Sequence, residues 1–178
     1  MLAFILAASL LVRIITSMGN IDVALDPTHA PKSTAAFMQC VDSGKLSGTT
    51  IYRTARADNQ AKPPSHTMVI QGGLNADKGP FPMVPLERTR VTGLHNEIGT
   101  FGVPRDAEPN TGSACDFYIN MANNPHLDSE RAKGGNGYAV FGQVVAGMDV
   151  ATRIWKLPAK GQQLTPPIKI ERIVRERP

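Results

Sequence analysis

Arg53 directly follows the short apolar run Ile51-Tyr52, and Gln71 ends a second one, Met68-Val69-Ile70, just ahead of Gly72-Gly73. A guanidinium is planar and charged at any working pH, so an arginine at a strand end can serve as a fixed cation for chemistry that needs no proton transfer. Most arginines are solvent-exposed, and the pattern alone favours an ordinary surface residue. Other chemistries find less support. The histidines at 29, 66, 95 and 126 are far apart, with no HExxH, and no CxxC is present, so no metal site is expected. There is no GxSxG, and neither cysteine carries a nucleophile signature. Gly72-Gly73 and Gly134-Gly135 match neither phosphate-loop pattern and read as tight turns.

The elements that must position Arg53 and Gln71 are mostly short strands. Ile21, Val23 and Leu25 alternate with Asp22 and Ala24, the period of a half-buried strand, and Gly19-Asn20 suggests a hairpin turn back to Leu11–Ile15. Pro31 opens a helix in which Phe37, Cys40 and Val41 share a face, and Gly44 stops it. Thr49–Tyr52 and Met68–Gln71 are strands flanking a polar loop, Thr54–His66. Thr100–Val103, Phe117–Asn120, Tyr138–Phe141 and Gln143–Val145 follow as strand material, with weakly periodic sequence between Leu74 and Glu97. A second helix starts at Gly147 with Val150, Ile154 and Leu157 on one stripe. Pro158–Pro167 is expected as a loop and Ile168–Val174 as the closing strand. Many short strands with two helices predict a mainly β fold, a closed sheet or a sandwich.

The chain has 178 residues, 42% hydrophobic and 19% charged, which fits one globular domain. Its net charge is +4, yet the basic residues are scattered and not interleaved with aromatics, which argues against a nucleic-acid partner. Cys40, on the apolar side of the first helix, reads as a small buried hydrophobe in preference to a Cys40–Cys115 bridge. The apolar run Met1–Val12 is too short to span a bilayer. Residues 1–10 are expected to be a signal-peptide remnant, hence export to the periplasm, and 11–178 the folded domain. If residues 1–12 are not a signal, the protein is cytoplasmic.

Five segments in order, TSMGNIDVALDPTHAPKSTAAF, GTTIYR, MVIQGG, DFYINMANNPHLD and GYAVFGQVVAGMDV, carry a resemblance from about Val12 to Val174. The chain resembles the cyclophilins, peptidyl-prolyl cis-trans isomerases, and among them the short bacterial, often periplasmic type. The resemblance implies a closed eight-stranded antiparallel β-barrel capped by two α-helices. It places Arg53 on the catalytic arginine and Gln71 on the glutamine that orients it and binds substrate. Met68, Val69, Tyr118 and Leu127 fall on the proline-pocket positions, and Tyr138 where histidine is often found. Pro104 and Arg105 fall by the segment whose backbone grips the substrate. Asp116 stands where the family usually has glutamine, and His126 where tryptophan or phenylalanine occurs.

The residue types suit the implied chemistry. Rotating a peptide bond costs about 18–20 kcal/mol because amide resonance is lost. As the bond twists, the prolyl nitrogen regains a lone pair, and a guanidinium aimed at it stabilises the twisted form over either planar one. No cofactor or metal is required. The expected partners are proline-containing polypeptides, with no nucleic acid and no stable membrane span, and the chain is expected to be a monomer. The competing expectation is a binding module on the same fold with little or no turnover.

Overall fold

The wall of the molecule follows from two-residue alternation. In strand β1 (Leu10–Thr16) Val12, Ile14 and Thr16 are buried, and in β2 (Gly19–Leu25) Ile21, Val23 and Leu25 are, while Asn20 is exposed. The structure is a computed structural model and describes residues 10–61, 66–75, 81–105 and 110–176. Most of the expected signal remnant, and Pro63-Pro64 of the first polar loop, lie outside the described residues.

The remaining strands are β3 (Thr50–Ala55), β4 (Val69–Gly73), β5 (Val84–Pro85), β6 (Thr100–Val103), β7 (Thr111–Gly112), β8 (Asp116–Asn120), β9 (Ala139–Ala146), β10 (Ala159–Lys160) and β11 (Gln163–Glu176). Hydrogen bonding runs β1-β2-β9-β6-β8-β4-β3-β11, and β11 pairs back onto β1, from Leu11↔Glu176 to Thr16↔Ile170. Eight antiparallel strands therefore close into a barrel, as the resemblance implied, with β10 added as a short hairpin arm on β11 and β5–β7 as a separate two-residue ladder.

Among the described residues three α-helices accompany the barrel: α1 (Pro31–Asp42), α2 (Thr89–Thr92) and α3 (Met148–Trp155). The one-turn α2 lies in the stretch whose periodicity was too weak to predict it. Helix α1 has Pro31 in its first turn and no side-chain cap from Ala30. Glu87 supplies the cap instead: its carboxylate accepts from the Lys32 and Ser33 amides (3.1 and 2.8 Å) and the Ser33 hydroxyl (2.7 Å), placing negative charge at the positive end of the helix. Helix α1 drives Phe37 into the interior, where its ring meets those of Phe101 (5.3 Å), Phe141 (5.5 Å) and Phe117 (6.3 Å), mostly edge-on or tilted. Helix α3 buries Val150, Ala151 and Ile154 and packs on β2, β3 and β4.

Three expectations need correction. Cys40 and Cys115 form a disulfide with their Cα atoms 5.6 Å apart, because α1 sets Cys40 over the start of β8, where Cys115 enters the core. Strand β3 does not end at Arg53: the Thr54 hydroxyl donates to the Trp155 carbonyl (2.8 Å), so a fully buried threonine is satisfied and the strand continues to Ala55. Residues 158–167 are not a plain loop, since β10 and the start of β11 make a hairpin there. Pro166 and Pro167, which lack an N–H, sit where β11 has no β3 partner, between Gln163↔Arg53 and Ile168↔Ile51.

Candidate active site

One row of residues crosses five strands of the barrel: Gln163 opposite Arg53, Arg53 opposite Gln71, Gln71 opposite Tyr118, and Tyr118 opposite Gly102. Alternation sends Phe117 and Ile119 into the main core and Tyr118 to the other face, where it joins Ala55, Val69 and Tyr138 in a second small apolar cluster. A side chain at residue 102 would collide with the Tyr118 ring, so glycine there lets the tyrosine lie flat against the wall. In β3 the register slips between Ile51 and Arg53, so two residues of β3 oppose one of β4. This bulge brings both Tyr52 and Arg53 to Gln71.

Arg53 is held at two points. Its Nε donates to Gln162 Oε1 (2.7 Å) and its Nη1 to Gln71 Oε1 (2.8 Å), while Gln71 Nε2 donates to the Tyr52 hydroxyl (2.8 Å). Among the described residues Arg53 makes no ion pair, so its charge is not neutralised by a protein carboxylate. Burial pushes the Tyr52 phenol well above its usual range, and the nearby Asp116 charge adds to this.

Beside Arg53 lies a pocket of about 70 Å³, lined by Arg53, Thr67, Val69, Gln71, Pro104, Tyr118, Leu127 and Tyr138. This is far below the roughly 300–1,000 Å³ of small-molecule sites, so it takes a single side chain or ring rather than a whole ligand. The Tyr118 ring meets Tyr138 edge-on at 6.1 Å. The Tyr118 hydroxyl donates to Asn96 Oδ1 (2.6 Å), and Asp128 Oδ1 in turn accepts from the Asn96 amide and side chain (both 2.8 Å). Burial raises the Tyr118 pKa well above its ordinary value, so this wall is a neutral phenol. Leu127 comes from the 3₁₀ turn Pro125–Leu127.

Of the residues expected at the site, Arg53, Val69, Gln71, Pro104, Tyr118, Leu127 and Tyr138 come together around this pocket. Four stand outside its lining. The backbone of Met68 is pinned by Asn124, whose Oδ1 accepts from the Met68 amide and whose Nδ2 donates to its carbonyl (both 3.0 Å). His126 Nε2 lies 2.9 Å from the Thr67 hydroxyl, and burial lowers its pKa. The exposed Arg105 sits over the Tyr138 ring, 5.2 Å from its centre, at the rim. Asp116 is buried and accepts from the Asn75 amide (2.8 Å). Burial pushes its carboxyl up, against hydrogen bonds from Ser113, Asn75 and Tyr52. Thr67 and Tyr52 fall within Thr67–Gly73 and Thr49–Arg53, the two segments the sequence offers as halves of the site, but neither was given a role of its own, and Gln162 was missed. The part Tyr52 plays depends on a bulge and that of Gln162 on an unexpected hairpin.

Comparison with known proteins gives the same class. The fold matches solved cyclophilins: a Cryptosporidium parvum cyclophilin type peptidyl-prolyl cis-trans isomerase superposes with TM-score 0.76 at 21% identity, covering 96% of this chain and 99% of that one. A second structure of that protein, determined in the presence of the dipeptide Ala-Pro, gives TM-score 0.74 at 21% identity over 94% and 99%. The family described as cyclophilin type peptidyl-prolyl cis-trans isomerase/CLD matches residues 11–175. Peptidyl-prolyl cis-trans isomerase A of Dickeya dadantii is 37% identical over 85% of this chain and 74% of its own length. Peptidyl-prolyl cis-trans isomerase cyp18 of Streptomyces antibioticus is 32% identical over 80% and 81%. The chain belongs to the cyclophilin-type peptidyl-prolyl cis-trans isomerases.

Proposed function

We propose that Arg53 is the catalytic cation of this isomerase and that the pocket beside it holds the proline ring of the substrate. The observation that carries this is a guanidinium braced by two neutral amides at the wall of a small pocket that Val69, Pro104, Leu127 and two tyrosines also line. Val69, Leu127 and the faces of Tyr118 and Tyr138 contact the ring, and Pro104 and Arg105 border the substrate chain. Gln71 binds the substrate backbone and aims Arg53. The unneutralised charge then meets the lone pair that develops on the prolyl nitrogen, stabilising the twisted amide more than either planar isomer. The Ala-Pro dipeptide used with the Cryptosporidium relative has the substrate chemistry this pocket fits.

The clients are folding polypeptides with exposed X–Pro bonds, and the protein acts as a monomer outside the cytoplasm. A Cys40–Cys115 disulfide supports export, since such bonds persist in oxidising compartments and are rare in the cytosol. Among the described residues no helix is long and apolar enough to cross a membrane. Rotation of an X–Pro peptide, followed by NMR exchange spectroscopy, tests the central reading. Arg53→Ala should lower kcat/KM at least about 100-fold, the loss of one preorganised charged donor. Background-level rates in both proteins would favour a binding module instead, and full activity in the variant would remove Arg53 from the mechanism. Cell fractionation with N-terminal sequencing tests export, and light scattering tests the monomer.

A further inference from the structure

Arg53 can only donate hydrogen bonds, and this fixes the direction of everything attached to it. Gln71 must turn Oε1 towards the guanidinium, which points its Nε2 away and leaves that amide in need of an acceptor. The Tyr52 oxygen meets it at 2.8 Å. Without that phenol, the amide loses the partner that keeps its oxygen on Arg53. Tyr52 reaches this place only because the bulge in β3 adds a residue opposite Gln71. Its buried phenol is kept protonated, so it accepts from Gln71 and retains its own hydrogen for the Asp116 side.

The second brace comes from the other side. Gln162 sits at the turn of the β10–β11 hairpin and grips β3 twice: its backbone carbonyl accepts from the Thr54 amide (2.9 Å) and its side chain accepts from Arg53 Nε (2.7 Å). Both acceptors on Arg53 are amides. A carboxylate in either place would hold the guanidinium as firmly but would offset the charge the reaction uses.

We propose that Gln162 and Tyr52 are positioning residues of the isomerase, bracing Arg53 from two sides with uncharged acceptors, Gln162 directly and Tyr52 through Gln71. The proposal rests on Arg53 being the catalytic cation. Neither residue touches substrate, so each acts on kcat far more than on KM.

The experiment compares wild type, Gln162→Leu, Gln162→Glu and Tyr52→Phe with Arg53→Ala and Arg53→Ala/Gln162→Leu, using the same X–Pro peptide and a 15N spectrum of the arginine Nε–H groups. Gln162→Leu and Tyr52→Phe should each lower kcat about tenfold with KM within twofold, the scale of one hydrogen bond to a charged group. The Arg53 Nε–H resonance should be present in wild type and lost in Gln162→Leu. Gln162→Glu should keep that resonance yet lose kcat, which a purely structural role does not predict. In the Arg53→Ala background Gln162→Leu should change nothing further. If Gln162→Leu fails to fold, Gln162→Glu and Tyr52→Phe carry the test. Wild-type kcat in both of these, or in both Gln162→Leu and Tyr52→Phe, with Arg53→Ala inactive, overturns this inference alone. Full activity in Arg53→Ala overturns the reading beneath it as well.

Discussion

Replacing both Cys40 and Cys115 by alanine removes the crosslink between α1 and the start of β8. The two residues are separated by 75 positions in sequence and are 0% and 1% exposed. In the chain-entropy treatment, a closed loop of that length restricts the unfolded chain enough to contribute about 4.5 kcal/mol at 25 °C. A domain of this size has about 5–15 kcal/mol of net stability, so the bridge supplies about 30% of it or more. Alanine is the right substitution, because serine would leave hydroxyls without partners in an apolar site. Urea unfolding followed by Trp155, the one tryptophan, gives the measurement. The expected result is a midpoint lowered by a large fraction of its value and a steeper denaturant dependence, since the uncrosslinked unfolded chain exposes more surface. A loss of less than about 1 kcal/mol would refute the entropic reasoning. Two titratable thiols in the denatured, unreduced wild type would sink the bridge itself.

Other expectations follow from single contacts. Gly102→Ala pushes a methyl into the Tyr118 ring and should displace the phenol from Asn96, lowering kcat/KM about tenfold or more and stability by about 1–3 kcal/mol; paired kinetic and unfolding measurements check both. Phe37→Ala should lose about 3–5 kcal/mol of stability by emptying the space between Phe101, Phe117 and Phe141, with kcat unchanged at temperatures where the variant is folded. Burial raises the Asp116 carboxyl above its ordinary 3.8, so the native state holds that proton more tightly than the unfolded chain. Wild-type stability therefore carries a component that falls as pH rises from about 3.8 through the raised native value, and Asp116→Asn should gain on wild type across that window in urea titrations at successive pH values.

The parts of this fold that follow from local periodicity were legible in the sequence. Ile21-Val23-Leu25 marked β2, and Phe37-Cys40-Val41 marked the buried face of α1, because alternation and helical spacing report burial directly. Closure of the sheet and the gathering of Arg53, Gln71, Tyr118 and Tyr138 around one pocket came from resemblance, since pairing between strands as distant in sequence as those of Gln71 and Tyr118, or of Leu11 and Glu176, leaves no local trace. Three features escaped. The disulfide depends on where α1 lands, which no spacing of two cysteines reveals. The bulge at Tyr52 is a register event between strands. The hairpin carrying Gln162 was hidden by Pro166-Pro167, which argue for a loop wherever their missing donors are not known to fall on an unpaired stretch.

The pairing of β1 with β11 has a consequence for how the protein is made. Leu11 is the partner of Glu176, so β1 waits for β11, made about 160 residues later, before its second edge is paired. Until then β1 and β3 both present open edges, and a chain released before residue 163 keeps them. Such edges template pairing between molecules, so truncated or stalled chains should aggregate rather than fold in part. Contacts this distant in sequence also make folding slow. This isomerase therefore cannot close its barrel until β11 has been made.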